Sequence, residues 1–229
     1  MTDPAQSVPV SLEVGKKRVF ACALEWPGWC RWGKDETTAL EALLAYGPRY
    51  AQVLQQAGMA FQPPSQLDQL AVVERHPGKG ATDFGAPAVP AATDGDAIDE
   101  VELARLQRLL RACWQAFDKA MQEAAGKELR KGPRGGGRTA EKILEHVVEA
   151  EASYLRRLAW KPPRTSDLGP QESLEPVRQA VLEALARAVR EGLPARGPRG
   201  GALWPPRYFV RRVAWHALDH AWEIEDRLP

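Results

Sequence analysis

Between Pro77 and Asp96 the chain carries Gly78, Gly80, Gly85, Pro87, Pro90 and Gly95 among alanines, and no apolar residue recurs there at a helical or strand period. A segment of that make-up buries too little apolar surface to offset the entropy of ordering it, so it predicts a flexible tether over 77–96. The 229 residues are then divided between two cores, residues 8–76 and 97–229, each near or below the usual domain size of about 150 residues. Lys and Arg total 31 and Asp and Glu total 30, which leaves no overall field to recruit nucleic acid or an anionic membrane. With 44% hydrophobic and 27% charged residues, and no apolar run long enough to span a bilayer, collagen-like, disordered and membrane classes fall away. Met1-Thr2-Asp3-Pro4 lacks the basic then apolar opening of a signal peptide, so a cytoplasmic location is expected. Cys22, Cys30 and Cys113 show no C-x-x-C spacing; reduced thiols are expected, with neither a disulfide framework nor a four-cysteine zinc site.

The first core reads as short extended runs around one helix. Val8 to Val14 alternates apolar and polar, Arg18 to Leu24 is rich in Val, Phe, Ala and Cys, and Gly15-Lys16-Lys17 suits the turn between them. A third run, Trp29 to Trp32, follows Trp26-Pro27-Gly28. Asp35 or Thr37 can cap a helix carrying Leu40, Leu43, Leu44, Tyr50, Val53 and Leu54, which Pro48 is expected to kink or break. Leu70 to Val73 reads as a returning strand. The order is three strands, helix, strand, in an α+β unit.

The second core carries four helical periods. Leu103, Leu106, Leu110, Cys113, Phe117 and Met121 share one stripe; Ile143, Val147, Ala150, Tyr154 and Leu158 share a second, behind Thr139 as N-cap. Leu174, Val177, Val181, Leu185 and Val189 form a third that stops at Gly192, and Phe209, Val213, Ala217, His220 and Ile224 form the fourth. Four amphipathic helices of this kind make a four-helix bundle. The connection from Trp160 to Ser173 is long enough to cross the length of such a bundle, which leaves open whether helices two and three run parallel.

The chain has only four histidines, and three lie on these helices. His216 and His220 are four apart, so both imidazoles share the inward face of the fourth helix, and His146 sits beside the inward stripe of the second. Three neutral imidazoles leave an open position on a divalent ion such as zinc, nickel, iron or manganese, where water or a thiolate can be activated. Glu149 follows His146 by three residues and Glu223 follows His220 by three, so either can add a ligand or act as general base; Asp219 is a further carboxylate for orienting an imidazole. The competing reading is that the pair consists of polar residues at a bundle edge. His76, before Pro77-Gly78, is expected to be exposed and not a ligand. Trp114, Trp215 and Trp222 are expected to serve packing, and Trp204 to line the mouth of the metal pocket.

Gly132 to Gly135 and Gly197 to Gly200 repeat Gly-Pro-Arg-Gly before the histidine-bearing helices, but neither matches a phosphate loop, and Arg134, Arg138 and Arg199 are read as solvated. No Gly-x-Ser-x-Gly elbow is present, and nothing supports a nucleophilic triad.

Arg207 to Leu228, RYFVRRVAWHALDHAWEIEDRL, with Lys142 to Glu151, KILEHVVEAE, resembles the DinB/YfiT family of metal-binding four-helix bundles. The resemblance implies His146, His216 and His220 as ligands of a divalent metal, and chemistry of the thiol-dependent transferase or hydrolase type, with a low-molecular-weight thiol as co-substrate in some members. Glu25 to Gly33, EWPGWCRWG, followed by Glu36 to Leu40, resembles the HicB-type antitoxin fold. That likeness implies oligomer or partner contacts without catalysis, although Trp26 stands where a small hydrophobe is usual. The expectation is therefore a cytoplasmic α+β two-domain protein, with a HicB-like ββ(β)αβ domain and a DinB-like bundle, acting as a metal-dependent enzyme on a small molecule, with exposed strand edges that suit a homodimer. The alternative is a non-enzymatic stress-response or antitoxin-like interaction module whose bundle is structural.

Overall fold

The computed structural model describes residues 7–132, 137–197 and 201–229. They form two compact units, Met1–Gly95 and Asp96–Pro229. Among the described residues no helix is long and apolar enough to cross a membrane.

In the first unit β1 (Val8–Val14), β2 (Val19–Ala23) and β3 (Cys30–Gly33) are followed by α1 (Glu36–Gln56) and β4 (Leu70–Pro77). The sheet order is β3-β2-β1-β4, with β4 parallel to β1 and the other neighbours antiparallel. Alternation along β1 buries Val8, Val10 and Leu12, as a strand with one covered face requires. Asp35 caps α1: its side chain accepts from Thr38 N at 2.8 Å, while Thr38 Oγ1 accepts from Asp35 N at 3.1 Å, a reciprocal pair that satisfies two otherwise orphaned donors.

The expected break at Pro48 does not occur, and α1 continues through it. Residues on both sides of the proline, Ala39, Leu43, Tyr50, Val53 and Leu54, are buried together, and their shared packing outweighs one missing helical hydrogen bond. Trp29 assists by donating Nε1–H to Leu43 O at 2.8 Å. Its ring stacks on Tyr50, with centroids 5.9 Å apart, and Tyr50 donates its hydroxyl to Pro27 O at 2.8 Å.

Two further expectations for this unit need correction. Cys22 and Cys30 are direct partners across β2 and β3 and are joined as a disulfide, leaving Cys113 as the free, buried cysteine among the described residues. Their pairing is a product of strand register, which no spacing rule reveals. Nor does 77–96 run as a bare tether. It forms a short helix, α2 (Gly80–Phe84), and a 3-10 turn at Ala92–Gly95, with Thr82 and Asp94 buried. The buried carboxylate of Glu13 on β1 accepts from Ala88 N at 2.8 Å, from Val89 N at 2.9 Å and from the Thr82 hydroxyl, while Glu74 on β4 accepts from Ala92 N at 2.9 Å. Backbone donors on strand carboxylates order this segment, and a search for apolar periods is blind to them.

The second unit has four long helices, α3 (Glu100–Ala124), α4 (Ala140–Leu155), α5 (Pro170–Glu191) and α6 (Pro206–Arg227). Asp99 caps α3 and Thr139 caps α4 through Glu102 N and Lys142 N. Gly192, with φ of 80°, ends α5 in a region that favours glycine. α3 packs chiefly along α6, and α4 against α5 and α6. Phe117, Ile143, Val147, Val177 and Ile224 meet in one core, so each of the four stripes faces the others.

Candidate metal centre

α6 enters the core with Phe209, Val213, Ala217 and Ile224 fully buried. His216 and His220 lie on the same buried side of the helix, and His146 reaches them from α4, where it is half-buried. One ligand atom from each imidazole falls within 4.8 Å of the other two, a cluster that excludes Glu149 and His76 among the described residues. His146 Nε2 and His216 Nε2 face each other at 3.1 Å, and the three ring centroids are 4.7 to 5.1 Å apart. Two imidazole nitrogens at that distance need either one shared proton or one shared cation. Nitrogens at the usual bond length of about 2.0–2.1 Å on a tetrahedral zinc stand about 3.4 Å apart, so the donor set fits a divalent ion after small adjustments.

The electrostatics favour the ligating form. Burial, then the neighbouring His220 charge, pushes His146 down to about 4 and His216 well below its ordinary value; both are neutral at pH 7, as metal ligands must be. Glu223 takes the Nδ1–H of His220 at 2.8 Å and receives Arg227 Nη1 at 2.9 Å. Burial pushes Glu223 upward, but the His220 hydrogen bond, with the charges of His220 and Arg227, holds it below the usual carboxylate range. With its Nδ1 engaged, His220 has Nε2 left for the cluster. Arg227 in turn donates Nε to Arg130 O at 2.8 Å and Nη2 to Arg138 O at 2.9 Å. Through Arg227, Arg130 and Arg138 are thus linked to the same carboxylate that orients His220.

Of the two glutamates expected at the site, only Glu223 touches a histidine. Glu149 is exposed; at 100° per residue it lies on the side of α4 opposite Leu144, Val147 and Glu151, which are buried. His76 is half-buried on β4 and bonds Glu74 at 2.6 Å. Arg134 and Arg199, and most of the two Gly-Pro-Arg-Gly loops, fall outside the described residues. Trp114, Trp215 and Trp222 are buried. Trp204 is one ring removed from the cluster: it packs on Tyr154, with ring centroids 5.2 Å apart, and Tyr154 in turn meets His216 edge to face at 5.8 Å.

Sequence reasoning passed over three residues near these elements. Glu151 is fully buried on α4, accepts Trp114 Nε1–H at 2.8 Å and is pushed up to about 7 by burial, against the opposing charge of Arg178. Arg227 was not singled out although it follows Glu223 by four residues. Arg212, four residues before His216, lies over Tyr154 and Trp215. In each case the signal was helical spacing from a residue already placed on the inward face.

No curated protein and no solved structure matches the chain. A family model described as the DinB superfamily matches residues 109–224, which span all three histidines and just over half of the chain. With that match covering the helices that carry the imidazole cluster, the chain belongs to the DinB superfamily.

Proposed function

We propose that this chain is a divalent-metal-binding DinB protein, in which His146, His216 and His220 hold one ion and a four-helix bundle supports a metal-dependent reaction on a small molecule, of the thiol-dependent transferase or hydrolase type. The observation that carries this reading is the convergence of three imidazole nitrogens from α4 and α6 within 4.8 Å. A bound ion supplies Lewis acidity to a substrate group or thiol that enters its open position. The chain's own groups do the rest. Glu223 keeps the His220 proton at Nδ1 and, held ionised, is the carboxylate best placed to accept a proton, in preference to exposed Glu149. Tyr154 packs on the His216 ring, and Trp204 backs Tyr154.

Elemental analysis of the untagged protein beside the His216→Ala, His220→Ala double variant tests the reading. About one metal per chain is expected in the parent and none in the variant. A parent that takes up no zinc, nickel, iron or manganese on reconstitution would overturn it.

For the first unit we propose a HicB-like role in pairing two copies of the chain. Its sheet ends in β3 and β4, and strand edges are the usual means of such pairing. Light scattering that gives a monomer across the micromolar range would remove this part of the proposal.

A further inference from the structure

The guanidinium of Arg212 is placed unlike those of the other arginines on the inner helical surfaces. Arg178 pairs with Asp118 at 2.8 Å, Arg207 with Glu102 at 2.8 Å and Arg227 with Glu223 at 2.9 Å. Arg212 has instead two aromatic faces, with its Cζ 4.8 Å from the Trp215 ring centroid and 5.6 Å from that of Tyr154. Its Nη1 is buried and, like Nε and Nη2 of Arg178 and Nε of Arg207, has no hydrogen-bond partner among the described residues, but Arg212 lacks the ion pair that those two arginines have. A buried donor on a permanent cation left without an acceptor is costly, and the rings can balance only part of that cost. The position is also specific. Arg212 precedes His216 by one helical turn, and Tyr154, on which it lies, is the same ring that packs against His216 and Trp204. A planar fork of donors beside an aromatic wall, one turn from three converging imidazoles, is suited to an anion with an apolar body.

We propose that Arg212 is a substrate-binding residue that takes the carboxylate of a small organic acid, whose apolar body lies along Tyr154 and Trp204 and whose reactive end reaches the histidine cluster. The carboxylate supplies the acceptor that Nη1 lacks, and a single guanidinium matches a single negative charge. This inference names the substrate class of the metal reading and rests on that reading only for the reactive end; the carboxylate contact does not require the ion.

Calorimetric titration of the zinc-reconstituted full chain with phenylacetate and, separately, phenylacetamide tests it. Phenylacetate is expected to bind about tenfold or more tightly than its neutral counterpart, and Arg212→Gln to abolish that preference while zinc stoichiometry and helical circular dichroism stay as in the parent. Equal affinities for the two probes in the parent, or an unchanged preference in Arg212→Gln, would overturn the proposal; the first comparison needs no variant to fold. The same titrations on chelator-treated chain separate the two readings. A carboxylate preference in a chain that binds no metal in any form sinks the metal centre alone and supports this inference. Stoichiometric zinc without any carboxylate preference sinks this inference alone.

Discussion

His220 is oriented through its bond to Glu223, and Glu223 is itself held by Arg227, whose remaining donors close on Arg130 O and Arg138 O. Such partners of a ligating imidazole typically change metal affinity when lost. Glu223→Gln and Arg227→Met are each expected to weaken zinc binding by about 10–100-fold, read by competition with a chromophoric chelator, while still allowing one ion per chain at saturation. Glu151 makes a different prediction. Its value is about 7 in the folded chain against 4.5 ordinarily, so folding retains a proton that the unfolded chain gives up. The resulting stability is fully present below pH 4.5, falls as pH rises towards 7 and is flat above it, amounting to about 3 kcal/mol at most. Urea titrations of Glu151→Gln should lack this decline; an identical pH dependence in parent and variant would show that the carboxyl is not held neutral. The inward position of Glu151 was legible, since it continues the Ile143, Val147 ridge by four residues. Its partners were not, because Trp114 and Arg178 come from α3 and α5.

Individual helices were read closely because their signals are local. Thr139, Asp35 and Gly192 bound α4, α1 and α5 as their side chains or backbone freedom require. That the helix does not break at Pro48 was not legible, for the opposite reason: a proline's local penalty is a few kcal/mol, and whether a helix survives it depends on packing from other elements, here Trp29 and the residues around Tyr50. Strand pairing is likewise non-local. The Cys22–Cys30 bond across β2 and β3 gives a direct prediction: denatured but unreduced protein should titrate one thiol, Cys113, and reduced protein all three. Three thiols without reduction would show that the pair is open.

The two units have separate cores, one around Trp29, Tyr50 and Leu12, the other around Phe117, Ile143 and Val177. A ligand that binds only the native state stabilises the unit it binds, so zinc is expected to raise the melting temperature of the helical unit and to leave the sheet unit unchanged. Tyr50→Phe, which deletes the hydroxyl bond to Pro27 O, should cost the sheet unit about 1 kcal/mol and leave zinc stoichiometry untouched. Loss of zinc in that variant would contradict the separation. What the sequence by itself determined is the set of long helices, the caps at Asp35, Thr139 and Gly192, the strand order along the chain and the inward placement of three histidines, because each depends on interactions within one or two turns or on alternation along one strand. Only the tertiary structure decided that β4 runs parallel to β1, that Cys22 meets Cys30, that 78–95 is anchored on Glu13 and Glu74, and that Glu223 rather than Glu149 meets the imidazoles. These contacts join residues on different elements, or depend on how far a helix is rotated towards its neighbours, and neither is set by the local pattern that makes a helix or a strand.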